Sequence, residues 1–269
     1  MNKKCIILPV FFILIQMTSC EDPLTCLPPD GQIAEEYWKK KEDVRATLLG
    51  VYQEFAQMDE RLFYYGELRS DMLSEDVNLG NDLRDIMNSN IYPSNSWVRW
   101  RPFYSVINYC NLLVKYSKQV KKTDPTFSNY QYNAYKAEAI FLRSLAYFYL
   151  IRVYREVPFI LKPYDTDGQN FFPKKSKSSL ILDSLKAQLN RILPDIPVEY
   201  ETNAKTRGRA TRGAVYALLA DISLWTFNYQ DCIDYVNNIE QINPYKMVTG
   251  GEWFTIFSEG NTSEGIFEI

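Results

Sequence analysis

The sequence predicts an all-α protein, an α-solenoid of irregular helix pairs joined by long loops. Three observations lead there. Lys136 to Ile160 reads KAEAIFLRSLAYFYLIRVYREVPFI, with apolar residues on nearly every side of a helix; a helix apolar all round is buried all round. Apolar residues recur three or four apart in several other stretches, which is the helical period. Residues 211–243 hold two short helical patterns joined at Phe227-Asn228-Tyr229, and such pairs stack to bury faces they cannot bury alone.

Composition narrows the function before any element is placed. With 269 residues, 46% hydrophobic and 23% charged, the chain has enough material for a sizeable core. It contains no histidine. That excludes a Ser-His-Asp triad, a Cys-His dyad and any His-ligated metal, but not a carboxylate-based glycosidase. The cysteines at 5, 20, 26, 110 and 232 include no C-x-x-C pair, so neither a disulfide framework nor a zinc site is expected. Cys110 and Cys232 fall in helical patterns and are expected to be small buried apolar residues. A net charge of −3 argues against nucleic acid as a partner. The 20 tyrosines suit a wet binding surface and helix packing equally well. No cofactor is expected.

In chain order, residues 1–19 have the form of a signal peptide: Lys3 and Lys4, then apolar Cys5 to Ile15, then Met17-Thr18-Ser19 before Cys20. The last four residues resemble the bacterial lipobox, with Met17 in place of the usual leucine. Cys20 is then the acylated new N-terminus, held to outer-membrane lipid because two or more acyl chains exceed the marginal binding of one. Glu21-Asp22 resemble a surface-export signal of Bacteroidetes lipoproteins. Residues 20–32, rich in proline and acid, form a tether to a domain at 33–269.

The domain begins with a helix over 33–58, striped by Tyr37, Val44, Leu48, Val51, Tyr52 and Phe55. Residues 59–96 are polar and rich in turn formers, with one short helix at Leu79 to Met87. A stretch of this length with little regular structure is usually functional or disordered. The next helix follows Ser96, with Trp97, Trp100, Tyr104, Ile107, Asn111 and Val114 on one face, and a loop takes 119–129. The central helix covers about 130–156 and stops before Pro158. In the following loop, DTDG fails as an EF-hand, because that register puts Pro163 and Lys174 where carboxylates are needed. A plain turn is expected. Ser178 to Leu193 is an amphipathic helix. RGRATRG lacks the Walker spacing, and Thr211 reads as an N-cap. Helices over 214–227 and 229–239 resemble a tetratricopeptide repeat in their small-residue and aromatic pattern. The chain ends in strand-like GIFEI.

Four separated blocks then agree with one family in order: the lipobox at Cys20, WRPFYSVINYCN at 100–111, the central block at 136–160, and TRGAVYALLA at 211–220. All resemble the SusD/RagB family of outer-membrane nutrient-binding lipoproteins, and GIFEI resembles the strand that follows the repeats there. The resemblance implies a tetratricopeptide-like, SusD-like scaffold. It also implies a lipid-anchored position on the cell surface and a SusC-like TonB-dependent transporter as partner. Ligands of the family are usually oligosaccharides, and the RagB-like branch takes peptides. Members are about twice this length, so the expectation is an N-terminal half, incomplete at its C-terminus.

No catalytic or metal-ligating residue is expected of such a protein. The candidate ligand residues lie at 75–99: Asn78, Asn81, Tyr92, Asn95, Trp97 and Arg99. They offer aromatic faces for sugar C–H surfaces and polar groups for hydroxyls. Core packing is the competing role for Trp97. The enzymatic alternative is a pair among Glu67, Asp71, Glu75 and Asp76 acting as acid and base.

Overall fold

The computed structural model describes residues 37–70, 72–242 and 245–269. The expected signal peptide, Cys20 and the tether lie outside these residues, as do Asp71 and the start of the first expected helix. Helix α1 spans Lys41–Ala56. Its start is set by Asp43, whose carboxylate accepts the N–H groups of Lys39 and Lys40 at 3.0 and 2.7 Å and so holds Lys40 extended as the N-cap. Asp124 accepts the Lys41 N–H at 2.9 Å. Of the expected stripe, Val44, Leu48, Val51 and Phe55 are buried, while Tyr37 and Tyr52 are half-buried.

Helix α2, Asp59–Gly66, was not expected. None of its side chains is buried, so it leaves no apolar stripe to read. Helix α3, Asn81–Met87, matches the short helix expected inside the polar stretch. Helix α4 runs from Arg101 to Thr123 with Pro102 in its first turn, where a missing N–H costs nothing. Trp97 therefore precedes the helix instead of opening it. The helix also continues through half of the expected loop at 119–129, because Val120 is buried.

Helix α5, Asn129–Tyr154, is the central block. Ser128 caps it by accepting the Gln131 N–H at 3.1 Å. Every residue from Ala137 to Ser144 is buried, followed by Ala146, Tyr147, Phe148, Leu150 and Ile151. The strands β1, Val157–Pro158, and β2, Lys175–Ser176, pair antiparallel and close the loop between them. In that loop Gly168 has φ +82°, as a tight turn needs. Asp165 is engaged by Lys115 and Tyr116. Among the described residues no cluster of three His, Cys, Asp or Glu could hold a metal.

Helix α6, Ser178–Ile192, buries Ile181, Leu182, Leu185, Leu189 and Ile192. A short α7, Asn203–Arg207, was not expected. Helix α8, Arg212–Trp225, is capped by Thr211, which accepts the Ala214 N–H at 3.3 Å. Helix α9 is Tyr229–Glu240 and α10 is Thr255–Ser258.

The helices pack in sequence-local pairs: α4 along α5 with α1 against both, α6 on α5 and α8, and α8 along α9. This is the all-α, stacked-pair architecture expected. GIFEI is not a strand. Phe267 packs edge-on against Phe141 at 5.2 Å, and the Glu268 N–H bonds to the Arg207 carbonyl at 2.8 Å. Phe267 also meets Tyr52 at 6.4 Å and the Glu268 carboxylate accepts the Asn261 N–H at 2.7 Å, so ring contacts and loop hydrogen bonds hold the segment, and among the described residues no strand pairs with it. Among the described residues no helix is long and apolar enough to cross a membrane. Cys110 is buried, and burial pushes its thiol up to about 12. Cys232 is only half-buried, short of the burial expected.

Two polar clusters lock the helices together inside the core. Glu138, fully buried, accepts from Tyr52 at 2.6 Å and from both Nε and Nη2 of Arg209 at 3.1 and 2.5 Å. Burial alone would lower the Arg209 guanidinium; the Glu138 carboxylate outweighs it, and the net shift is upward. Arg143, also buried, donates to Asn111 at 2.6 Å and Gln188 at 2.5 Å, joining α5 to α4 and α6.

Candidate functional site

The loop candidates divide into residues that build the loop and residues that face outward. Asn95 is buried. Its amide donates to the Asp82 carbonyl at 2.7 Å and accepts the Trp97 N–H at 3.0 Å. Both ends of the amide are thus used inside the loop, so Asn95 shapes the loop and does not present an amide to solvent. Ser96 donates its N–H and hydroxyl to Asp82 at 2.9 and 2.5 Å, and these bonds hold the Asp82 carboxyl below the usual range. Asn81 accepts from Arg84 at 3.1 Å, and Asn78 donates its backbone N–H to Asp76 at 2.8 Å. Tyr92 and Arg99 are exposed. Of the six, the structure joins Asn95 directly to Trp97. Asn78 and Asn81 bond within their own turns.

Trp97 is half-buried and held by α2. Tyr64 meets its ring edge-on at 4.8 Å, and the Arg61 guanidinium lies over it at 5.3 Å. Its carbonyl accepts from Arg61 and from the Tyr65 hydroxyl. Tyr65 also shares a hydrogen bond with Tyr154 at 3.0 Å. The unexpected helix thus ties the candidate loop to the end of α5.

That end of α5 borders two hollows. One, about 350 Å³, is lined by Tyr65, Arg69, Ser70, Ser89, Tyr149 and Trp225 among others. The second, about 1060 Å³, takes Tyr154, Arg155, Glu156, Lys175, Asp221 and Phe227. Arg152 and Trp225 line both, so the two adjoin there. The Arg152 guanidinium lies over Phe148, Tyr149 and Trp225 at 5.5, 6.0 and 5.6 Å, an arrangement stabilised by the negative faces of the rings. Among the described residues its one acidic partner is Asp221 at 3.4 Å. Burial raises the Asp221 carboxyl despite the nearby arginine. The loop at 75–99 contributes Ser89 to the smaller hollow.

The sequence alone does not single out Arg69, Arg152 or Trp225. Arg152 did carry a signal, as one of the few charged positions in an otherwise apolar block. Trp225 comes from α8 and meets it only through helix packing.

Residues 29–224 match the SusD-like family described as starch-binding and associating with the outer membrane. The chain belongs to the SusD-like family. A SusD-like protein of Formosa agariphila, P38, is 24% identical over 254 residues, covering 92% of this chain and 48% of that protein. A solved laminarin-binding SusD-like protein has a TM-score of 0.73 at 23% identity, covering 86% of this chain and 51% of its own. Surface glycan-binding protein A of Bacteroides uniformis has a TM-score of 0.74 at 18% identity, covering 86% and 52%. These likenesses establish the SusD fold. The chain spans about half the length of the curated relatives it matches.

Proposed function

We propose that this chain captures oligosaccharide at the cell surface and delivers it to a SusC-like, TonB-dependent outer-membrane transporter. The observation that carries the reading is the smaller hollow beside the candidate loop. It sets the rings of Tyr65, Tyr149 and Trp225 among Arg69, Ser70 and Ser89. Flat apolar faces beside a few convergent polar groups are what a sugar site needs. Within this proposal Tyr92, Trp97 and Arg99 extend the binding face along the loop, and Asn78 and Asn81 offer amides at its edge. Family membership and the laminarin-binding relative support the same ligand class. Cys20, acylated after removal of residues 1–19, is the proposed anchor, and 20–32 the tether.

The reading is of binding without turnover. Of the acidic residues considered for catalysis, Glu75 is paired with Arg84 and Asp76 accepts a backbone N–H. Calorimetry of the full chain against laminarihexaose and maltohexaose should show binding, with the sugars recovered intact. Hydrolysed sugar would overturn the reading, as would binding of peptides in place of every glycan offered. For the anchor, Cys20→Ala should abolish incorporation of labelled palmitate, and unchanged labelling would refute it.

A further inference from the structure

Resting on that reading, we infer that the groove at the C-terminal end of α5 is a subsite for an anionic group of the saccharide, a carboxylate or sulfate, seated beside Trp225. Four cations line the joined hollows, Arg69, Arg152, Arg155 and Lys175, against two acids, Glu156 and Asp221. The surplus of two positive charges stands on a chain whose net charge is −3. Among the described residues Arg69, Arg155 and Lys175 form no ion pair. Cations gathered this way raise the local concentration of anions.

The dipole of α5 accounts for part of this. Its negative end favours Arg152 and Arg155. It does not account for Arg69, which follows α2, or Lys175, which comes from β2. Arg152 is aimed by three aromatic rings, and its bond to Asp221, at 3.4 Å, is longer than the roughly 2.7–2.9 Å of a strong charge-assisted bond. The guanidinium retains donors for a second anion.

Backbone strain is an independent observation. Arg155 has φ 64° and ψ −76°, and the Glu156 N–H bonds to the Tyr154 carbonyl at 2.8 Å. That is a γ-turn of positive φ, a rare and strained form. Glycine would take this geometry with little cost, yet the position carries an arginine facing the groove. Ser89 and Phe227, both with φ 59°, line the same two hollows. Strain of this kind clusters at ligand clamps. Trp225, 45% exposed, supplies the flat face for the sugar ring that bears the charge.

The test is calorimetry of the full chain with four probes: tetragalacturonate, a sulfated carrageenan tetrasaccharide, neutral laminaritetraose and tetraglutamate. At least one charged saccharide should bind about tenfold more tightly than the neutral one, the gain of one added charge-assisted bond, and weaken as salt rises. Arg155→Gly should lower that affinity about tenfold while raising the melting temperature; Arg155→Lys should retain part of the binding. A gain in stability with a loss of affinity separates a ligand role from a structural one. Equal affinity for neutral and charged sugars, unaffected by Arg155→Gly, would overturn the subsite and leave glycan capture standing. Tetraglutamate binding as well as the saccharides would overturn the sugar assignment. Failure of every saccharide would remove both.

Discussion

Helix α5 carries charge both in its middle and at its end, and the two regions are built differently. In the middle, Glu138 and Arg143 are buried and bonded to partners on other elements: Tyr52, Asn111 and Gln188 on helices, and Arg209 in the turn between α7 and α8. At the end, Arg152 and Arg155 face open hollows; one pairs loosely and the other with no acid among the described residues. The middle uses ions to fix which helices meet. A buried ion pair adds little net stability, but removing one partner strands the other in a low-dielectric core. The end keeps its cations where water or a ligand completes their bonding. One helix thus serves as the lock of the scaffold and as the wall of its proposed site.

The comparison breaks most visibly at Glu138. Glu138→Ala leaves Arg209 and the Tyr52 hydroxyl without their acceptor, and should cost about 3–5 kcal/mol in urea unfolding. A loss below about 1 kcal/mol would mean that the middle is no more tightly built than the end. Gly213→Ala should cost about 1–3 kcal/mol. A Cβ there would collide with the Tyr245 ring, and Tyr245 is held to Thr211 at 2.7 Å. Tyr147→Phe should cost about 1 kcal/mol, because its hydroxyl both accepts the Ile160 N–H at 2.7 Å and donates to its carbonyl at 3.0 Å. Arg155→Gly is opposite in sign, a gain of up to about 1 kcal/mol from relieved strain. A loss of stability there would show that the γ-turn depends on the arginine side chain.

The same contrast explains what could be read from the sequence. The middle of α5 is legible because burial leaves a dense apolar signature, and α4, α6, α8 and α9 are legible by their stripes. Helix α2 is not, because none of its side chains is buried; α7 is too short to show a period. GIFEI looks like a strand because Ile266 and Phe267 are apolar and β-prone, yet both are only half-buried, and Phe267 is held by ring contacts with Tyr52 and Phe141 in place of strand pairing. In the candidate loop, Asn95 has the side chain of a ligand amide, and only the fold shows that Asp82 and Trp97 use both its ends. Arg152 and Trp225 are far apart in sequence, so their pairing is a product of helix packing and has no local signal.

The five tryptophans make ligand contact at Trp225 directly measurable. Their indole N–H signals in a nitrogen-labelled chain can be followed as a bound oligosaccharide is titrated in. The Trp225 signal is expected to move, while that of Trp38, buried and stacked on Tyr116 at 5.2 Å, stays in place. Saturable binding that leaves Trp225 unmoved would contradict it.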